Sequence, residues 1–192
     1  MILSILIPST YNRQSMLDEL IDHLKYQIDE CVANDKVEIL TDIDGGELSV
    51  GAKRQKLIEL SKGHYICHID SDDWVSNDYV EWILLAIEDS PDVIGFSGYM
   101  THDGIKRENF NISKDLAYIT IIDGNGNNEY SRFNNHLSPI KKSIALQIGF
   151  KDLKFAEDYD YALRLKNSGL IKTEVFIPHE LYHYRYIKNK TT

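Results

Sequence analysis

Residues 2–7 read Ile2-Leu3-Ser4-Ile5-Leu6-Ile7, apolar at every position but one. Such a short β-branched run predicts a strand covered on both faces, stopped by Pro8. Leu17, Leu20, Ile21, Leu24 and Ile28 then recur at helical spacing and predict an amphipathic helix over about 14–30. A second short strand over 37–40 runs into the loop Asp42-Ile43-Asp44-Gly45-Gly46. A helix over about 50–62 follows, with Gly63 as its stop signal. A third strand over 64–69 leads straight into Asp70-Ser71-Asp72-Asp73-Trp74. Asn77 or Ser76 then caps a helix carrying Trp82, Ile83, Ala86 and Ile87, and a fourth strand covers 92–98.

Strand and helix alternating in this way predict an α/β fold: a mostly parallel central sheet flanked by helices, with ligands at the carboxyl ends of the strands. Both acidic clusters, Asp42/Asp44 and Asp70/Asp72/Asp73, stand at predicted strand ends. The second half is less regular. Asp103-Gly104 between strand-like runs signals a hairpin, 117–122 reads as a strand, and 123–130 is a Gly/Asn loop. A helix over 157–169 ends at Gly169, and 175–177 and 181–186 read as late strands.

Length and charge narrow the classes. At roughly 150 residues per domain, 192 residues make one domain. Thirty acidic against 21 basic residues leave a net charge of -9, which disfavours a passive nucleic-acid binder held by phosphate contacts. No apolar run approaches the ~20 residues of a membrane span. The amino-terminal run lacks a basic flank and is too short for a secretion signal. Cys31 and Cys67 have no framework spacing and read as reduced thiols, so the expectation is a cytoplasmic protein.

The chemistry is carried by carboxylates. Asp70 and Asp72 stand two residues apart at a strand end; an extended backbone would project both to one side, where they could hold a hard divalent cation. Counted from Asp70, Asp123 or Asp42, no loop has the glycine and glutamate of a helix-loop-helix calcium site. There is no GxxxxGK[ST] loop, no GxGxxG turn after the first strand, and no Cys/His set with zinc spacing.

Together the segments resemble a family 2 glycosyltransferase of GT-A fold. Ile5-Leu6-Ile7-Pro8-Ser9-Thr10-Tyr11-Asn12-Arg13 is similar to the family's first strand and nucleotide loop. Gly51-Ala52-Lys53-Arg54-Gln55 and the strand from Gly63 to Asp73 resemble its basic helix and D-x-D strand. Glu157-Asp158-Tyr159-Asp160 resembles its acceptor-side acidic helix. The resemblance implies one Rossmann-like GT-A domain over 1–192, with a nucleotide-sugar half to about residue 98 and a short, mixed acceptor-side half from about 99.

It further implies a UDP-sugar donor and Mn2+ or Mg2+. Pro8, Thr10, Asn12, Arg13, Arg54 and Ser71 would contact the nucleotide sugar, with Asp42 or Asp44 at the base. Asp70 would lie near ribose and metal, Asp72 would ligate the metal directly, and His183 would add a late ligand. Asp158 would be the base of an inverting transfer, beside Glu157. Three carboxylates within four residues repel one another, while a helix N-terminus favours their charged forms. Trp74 and His136 are candidate donor or acceptor contacts. The acceptor stays open among glycan, lipid-linked sugar, protein and modified nucleic acid. A portion this short leaves room for a homo-oligomer to complete it. Two other classes compete: a nucleotidyltransferase-like phosphate enzyme and a non-catalytic nucleotide-sugar-binding module.

Overall fold

The structure, a computed structural model, describes residues 1–122, 124 and 126–187. β1 (Leu3–Thr10) is buried over seven of its eight residues, and its alternation sorts the two layers around it. Leu3, Ile5 and Ile7 join one core with α1 (Gln14–Glu30) and α3 (Tyr79–Ile87). Leu6 points into a second core with α2 (Val50–Leu60), α4 (Lys142–Ile148) and α5 (Glu157–Ser168). Period-two alternation within a doubly covered strand is what lets one strand serve both layers.

β1 pairs in parallel with β2 (Val37–Asp44) on one side and β3 (Tyr65–His68) on the other. The short β9 (Ile140–Lys141) then bridges antiparallel to β3 and to β5 (Val93–His102). Gly63 permits the entry to β3: a Cβ there would come within 2.6 Å of the Ser4 backbone nitrogen.

Beyond β5 the sheet becomes mixed. β6 (Lys106–Ile112) returns antiparallel through the Asp103-Gly104 turn, where both residues have positive φ, as the hairpin signal anticipates. β8 (Asn128–Arg132) pairs parallel to β6, and β7 (Ile119–Ile122) forms the edge. Of the expected Gly/Asn loop, residues 128–130 are strand, while Asp123 and Asn125 lie outside the described residues. The two late strands are one, β10 (Glu174–Tyr186), parallel to β5 and irregular around Pro178. β4 (Trp74–Val75) pairs with Tyr182 and His183 of β10, so Trp74 lies in a strand. The cap of α3 is Asp78 in place of Asn77 or Ser76.

Among the described residues, no helix is long and apolar enough to cross a membrane. Cys31 and Cys67 are both free.

Candidate active site

The carboxyl ends of β1, β2 and β3 open together, and two hollows meet there. The first, about 550 Å³, runs along Pro8, Thr10, Asn12 and Arg13 to the Gly45-Gly46 loop and Asp70. Lys53 fixes its shape: the buried ammonium donates to the Ser9 carbonyl and to Asp44, tying the ends of β1 and β2 together. Asp44 also accepts from the backbone N–H groups of Gly46 and Leu48, each at 2.8 Å. The Lys53 hydrogen bond leads the effects that hold its carboxyl down at about 2. Asp44 is therefore consumed by its own loop. Asp42 gives one oxygen to Lys56 at 2.8 Å and keeps the other buried without a partner.

The D-x-D segment is a turn, with Asp73 N–H donating to the Asp70 carbonyl at 3.0 Å. This corrects the extended backbone expected from the sequence. Two arginines grip its two acidic side chains. Arg54, 2% exposed, donates to Asp70 Oδ1 at 2.7 Å and reaches Glu157 Oε1 at 3.3 Å. Arg13 meets Asp72 with both guanidinium nitrogens, at 3.1 and 3.0 Å. Burial raises the carboxyls of Asp70, Asp72 and Asp73. At Asp70, Arg54 and His136 reverse the effect and hold the group well below the ordinary range. Asp72 ends above its usual value despite Arg13, and Asp73, facing the charges of Asp70 and Asp72, ends well above it.

Asp73, whose role the sequence reading did not assign, anchors the turn to β10. Tyr182 donates to its Oδ2 at 2.7 Å, and the Arg185 N–H donates to Oδ1 at 2.8 Å. The Arg185 side chain clasps the carbonyls of Asp72 and Asp73 at 2.8 and 2.9 Å. The only signal for this was the alternation of Tyr182, Tyr184 and Tyr186.

That alternation also decides His183. Tyr182 reaches the acidic turn and Tyr184 lines the second hollow, while His183 lies on the opposite face of the strand, which it shares with Arg185. His183 bonds Thr101 at 2.8 Å and stacks on Tyr99 with ring centroids 4.3 Å apart. Its Nε2 is engaged by Thr101, and among the described residues it makes no contact with Asp70 or Asp72. Among the described residues no group of three or more His, Cys, Asp or Glu is arranged to hold a metal ion. Trp74 is likewise turned from both hollows, stacked on His23 at 4.6 Å with Arg185 over its ring.

The second hollow, about 640 Å³, adjoins the same turn. Asp70, Arg54 and His136 meet there with Glu157 and Asp158 of α5. The helix arrives because Gly51 lets α2 touch the loop that leads into α5: a Cβ at Gly51 would sit 2.1 Å from the Lys151 carbonyl oxygen. His136 is buried with Nε2 3.6 Å from Asp70 Oδ2, and Ser71 Oγ is buried without a partner. The three acids of α5 divide sharply. Glu157 is held by Arg54, and Asp160 by Lys151 and Arg164 at 2.6 and 2.7 Å. Asp158 makes no ion pair among the described residues and accepts only the Tyr159 N–H, at 2.8 Å. Phe155 stands over the hollow, 85% exposed, opposed by Phe110, Tyr130 and Tyr184 among its walls.

No family model matches the chain. EpsH of Bacillus subtilis, a protein named as a glycosyltransferase, is 44% identical over 45 residues, which are 23% of this chain and 13% of EpsH. TarS 1-349 from S. aureus has 15% identity and a TM-score of 0.62, covering 96% of this chain and 60% of that one. The same fragment solved with UDP-GlcNAc matches equally well, covering 58% of that chain. The longer TarS structure has 14% identity and a TM-score of 0.63, with 37% of its length covered. The chain thus spans less than two thirds of each of these proteins. In fold it is a GT-A domain, and it shares that fold with TarS 1-349 over nearly its whole length.

Proposed function

We propose that this chain is a glycosyltransferase that moves a sugar from a UDP-linked donor to an acceptor hydroxyl with inversion at the anomeric carbon. One observation carries the reading. Of three acids at the start of α5, only Asp158 lacks a cationic partner, and it shares a hollow with Asp70 of the strand-end turn. A carboxylate so placed can take the acceptor's proton while its neighbours, already neutralised, do structural work. That TarS 1-349 was solved with UDP-GlcNAc and with UDP supports the donor class.

In this reading the first hollow takes the nucleotide. Pro8, Thr10 and Asn12 line the part that would hold the base. Asp70 and Asp72 offer hard oxygen donors from one turn, the class that Mn2+ or Mg2+ takes, with the remaining positions left to phosphate and water. Bound there, the ion supplies neutralisation of the departing diphosphate. Arg54 orients Asp70 and Glu157 together.

The second hollow takes the acceptor. Its carboxylates suit hydroxyl groups, and the exposed ring of Phe155 suits the C–H face of a sugar ring, so we assign a saccharide acceptor.

The test is incubation of the whole chain with UDP-GlcNAc or other UDP-sugars, Mn2+ and saccharide acceptors, reading UDP release and product configuration by NMR. Inverted product is expected. Retained configuration would remove the mechanism, and failure to consume any UDP-sugar would favour a binding module.

A further inference from the structure

Two arginine–aspartate pairs stand on one turn, and they differ in kind. Arg54–Asp70 is enclosed: Arg54 is buried and is tied to Glu157 as well. Arg13–Asp72 is open, with side-chain exposures of 32% and 22%. Neither Arg13 nor the Asp72 carboxylate has another side-chain partner among the described residues. The pair closes both carboxylate oxygens of Asp72 with a guanidinium fork, although the reading above offers Asp72 with Asp70 to a metal. Arg13 also lines both hollows, standing where they meet.

A guanidinium and a divalent cation compete for the same two oxygens. A partly exposed ion pair costs less to break than an enclosed one, and the fork that fits a carboxylate fits a phosphate equally well. We propose that Arg13 is an internal stand-in for the metal. It holds Asp72 while the cleft lacks a donor, then swings to the donor's diphosphate when the ion takes Asp72. The swap makes metal and diphosphate favour each other's binding, because each removes the partner that would otherwise compete with the other. By linkage the coupling is reciprocal.

This rests on the UDP-sugar reading, and the experiment separates the two. Mn2+ binding to the full chain is measured by electron paramagnetic resonance and calorimetry, with and without UDP, for wild type, Arg13→Gln and Arg13→Lys. Melting temperatures serve as the folding control. In wild type UDP should tighten Mn2+ about tenfold, inside the range of roughly 5–150-fold typical of coupled sites. Arg13→Gln should bind Mn2+ alone several-fold tighter than wild type and lose most of the UDP effect. Arg13→Lys, which keeps the charge without the fork, should fall between them.

If Arg13→Gln binds Mn2+ no tighter than wild type, or keeps the full UDP coupling, the swap is overturned while the donor reading stands. If UDP binds none of the three proteins, the donor reading falls and takes the swap with it.

Discussion

The two hollows share one acidic turn but are built in opposite ways. The nucleotide hollow comes from the ends of three neighbouring strands and one helix, all within the first 73 residues, and charges fix it: Lys53 to Asp44, Arg54 to Asp70. The acceptor hollow collects residues from Arg13 to Tyr184, drawn from α2, α5, β10 and the mixed part of the sheet. Aromatic and aliphatic side chains supply much of its wall. Donor recognition therefore rests on local, ion-paired loops, and acceptor recognition on long-range packing. Changes to residues that line only one hollow should leave the other nearly intact, whereas Arg13, Val50 and Asp70 line both.

Asp158→Asn should break the comparison hardest. Loss of a general base typically costs 10²–10⁴-fold, so turnover should fall by about that range while UDP affinity by calorimetry stays within about twofold of wild type. Retention of more than about a tenth of the rate would remove Asp158 from the role.

Phe155→Ala should act only on the acceptor side. Loss of one aromatic face costs about 1 kcal/mol, roughly fivefold in the acceptor's KM. Because the ring is 85% exposed, the melting temperature should not change. Phe155→Tyr should restore KM, and an equal loss of UDP affinity in the alanine variant would contradict the division.

The smallest effect concerns Glu108 of β6, buried where the mixed sheet folds over. It accepts from Tyr130 at 2.7 Å and from Asn128 and His102 at 2.9 Å, and it pairs with Lys106. Burial pushes its carboxyl up, but Lys106, Tyr130 and His102 overcome this and hold it at about 2, against an ordinary 4.5. A depressed carboxyl stabilises the native state above its unfolded value and loses that contribution as pH falls. The melting-temperature gap between wild type and Glu108→Gln should be widest at neutral pH and close between about 4.5 and 2. UDP binding at neutral pH should survive the substitution.

The same contrast explains what the sequence allowed. The first three strands, the acidic strand end and the α5 acids were legible because each is a continuous run, with chemistry set by residues a few positions apart. Arg54 was visible as a helical arginine, but its contact with Glu157 spans 103 residues. His183 illustrates the limit more sharply. Strand alternation was readable, but its phase was not, because Tyr182 takes the inner face by bonding Asp73 across 109 residues. β4 and β9 have two residues each, too few for any period to show. Phe155 carries no local pattern at all. Only the loop that Gly51 admits sets it over the hollow.

The central claim, that the strand-end turn couples a nucleotide hollow to a divalent cation, is tested most directly by calorimetric titration of UDP into wild type and Asp72→Asn, each in Mn2+ and in EDTA. Wild type should bind UDP in Mn2+ and lose about tenfold or more of that affinity in EDTA, whereas Asp72→Asn should bind UDP with the same affinity in both. Equal UDP affinity in all four titrations, or no UDP binding by wild type in Mn2+, would contradict the account.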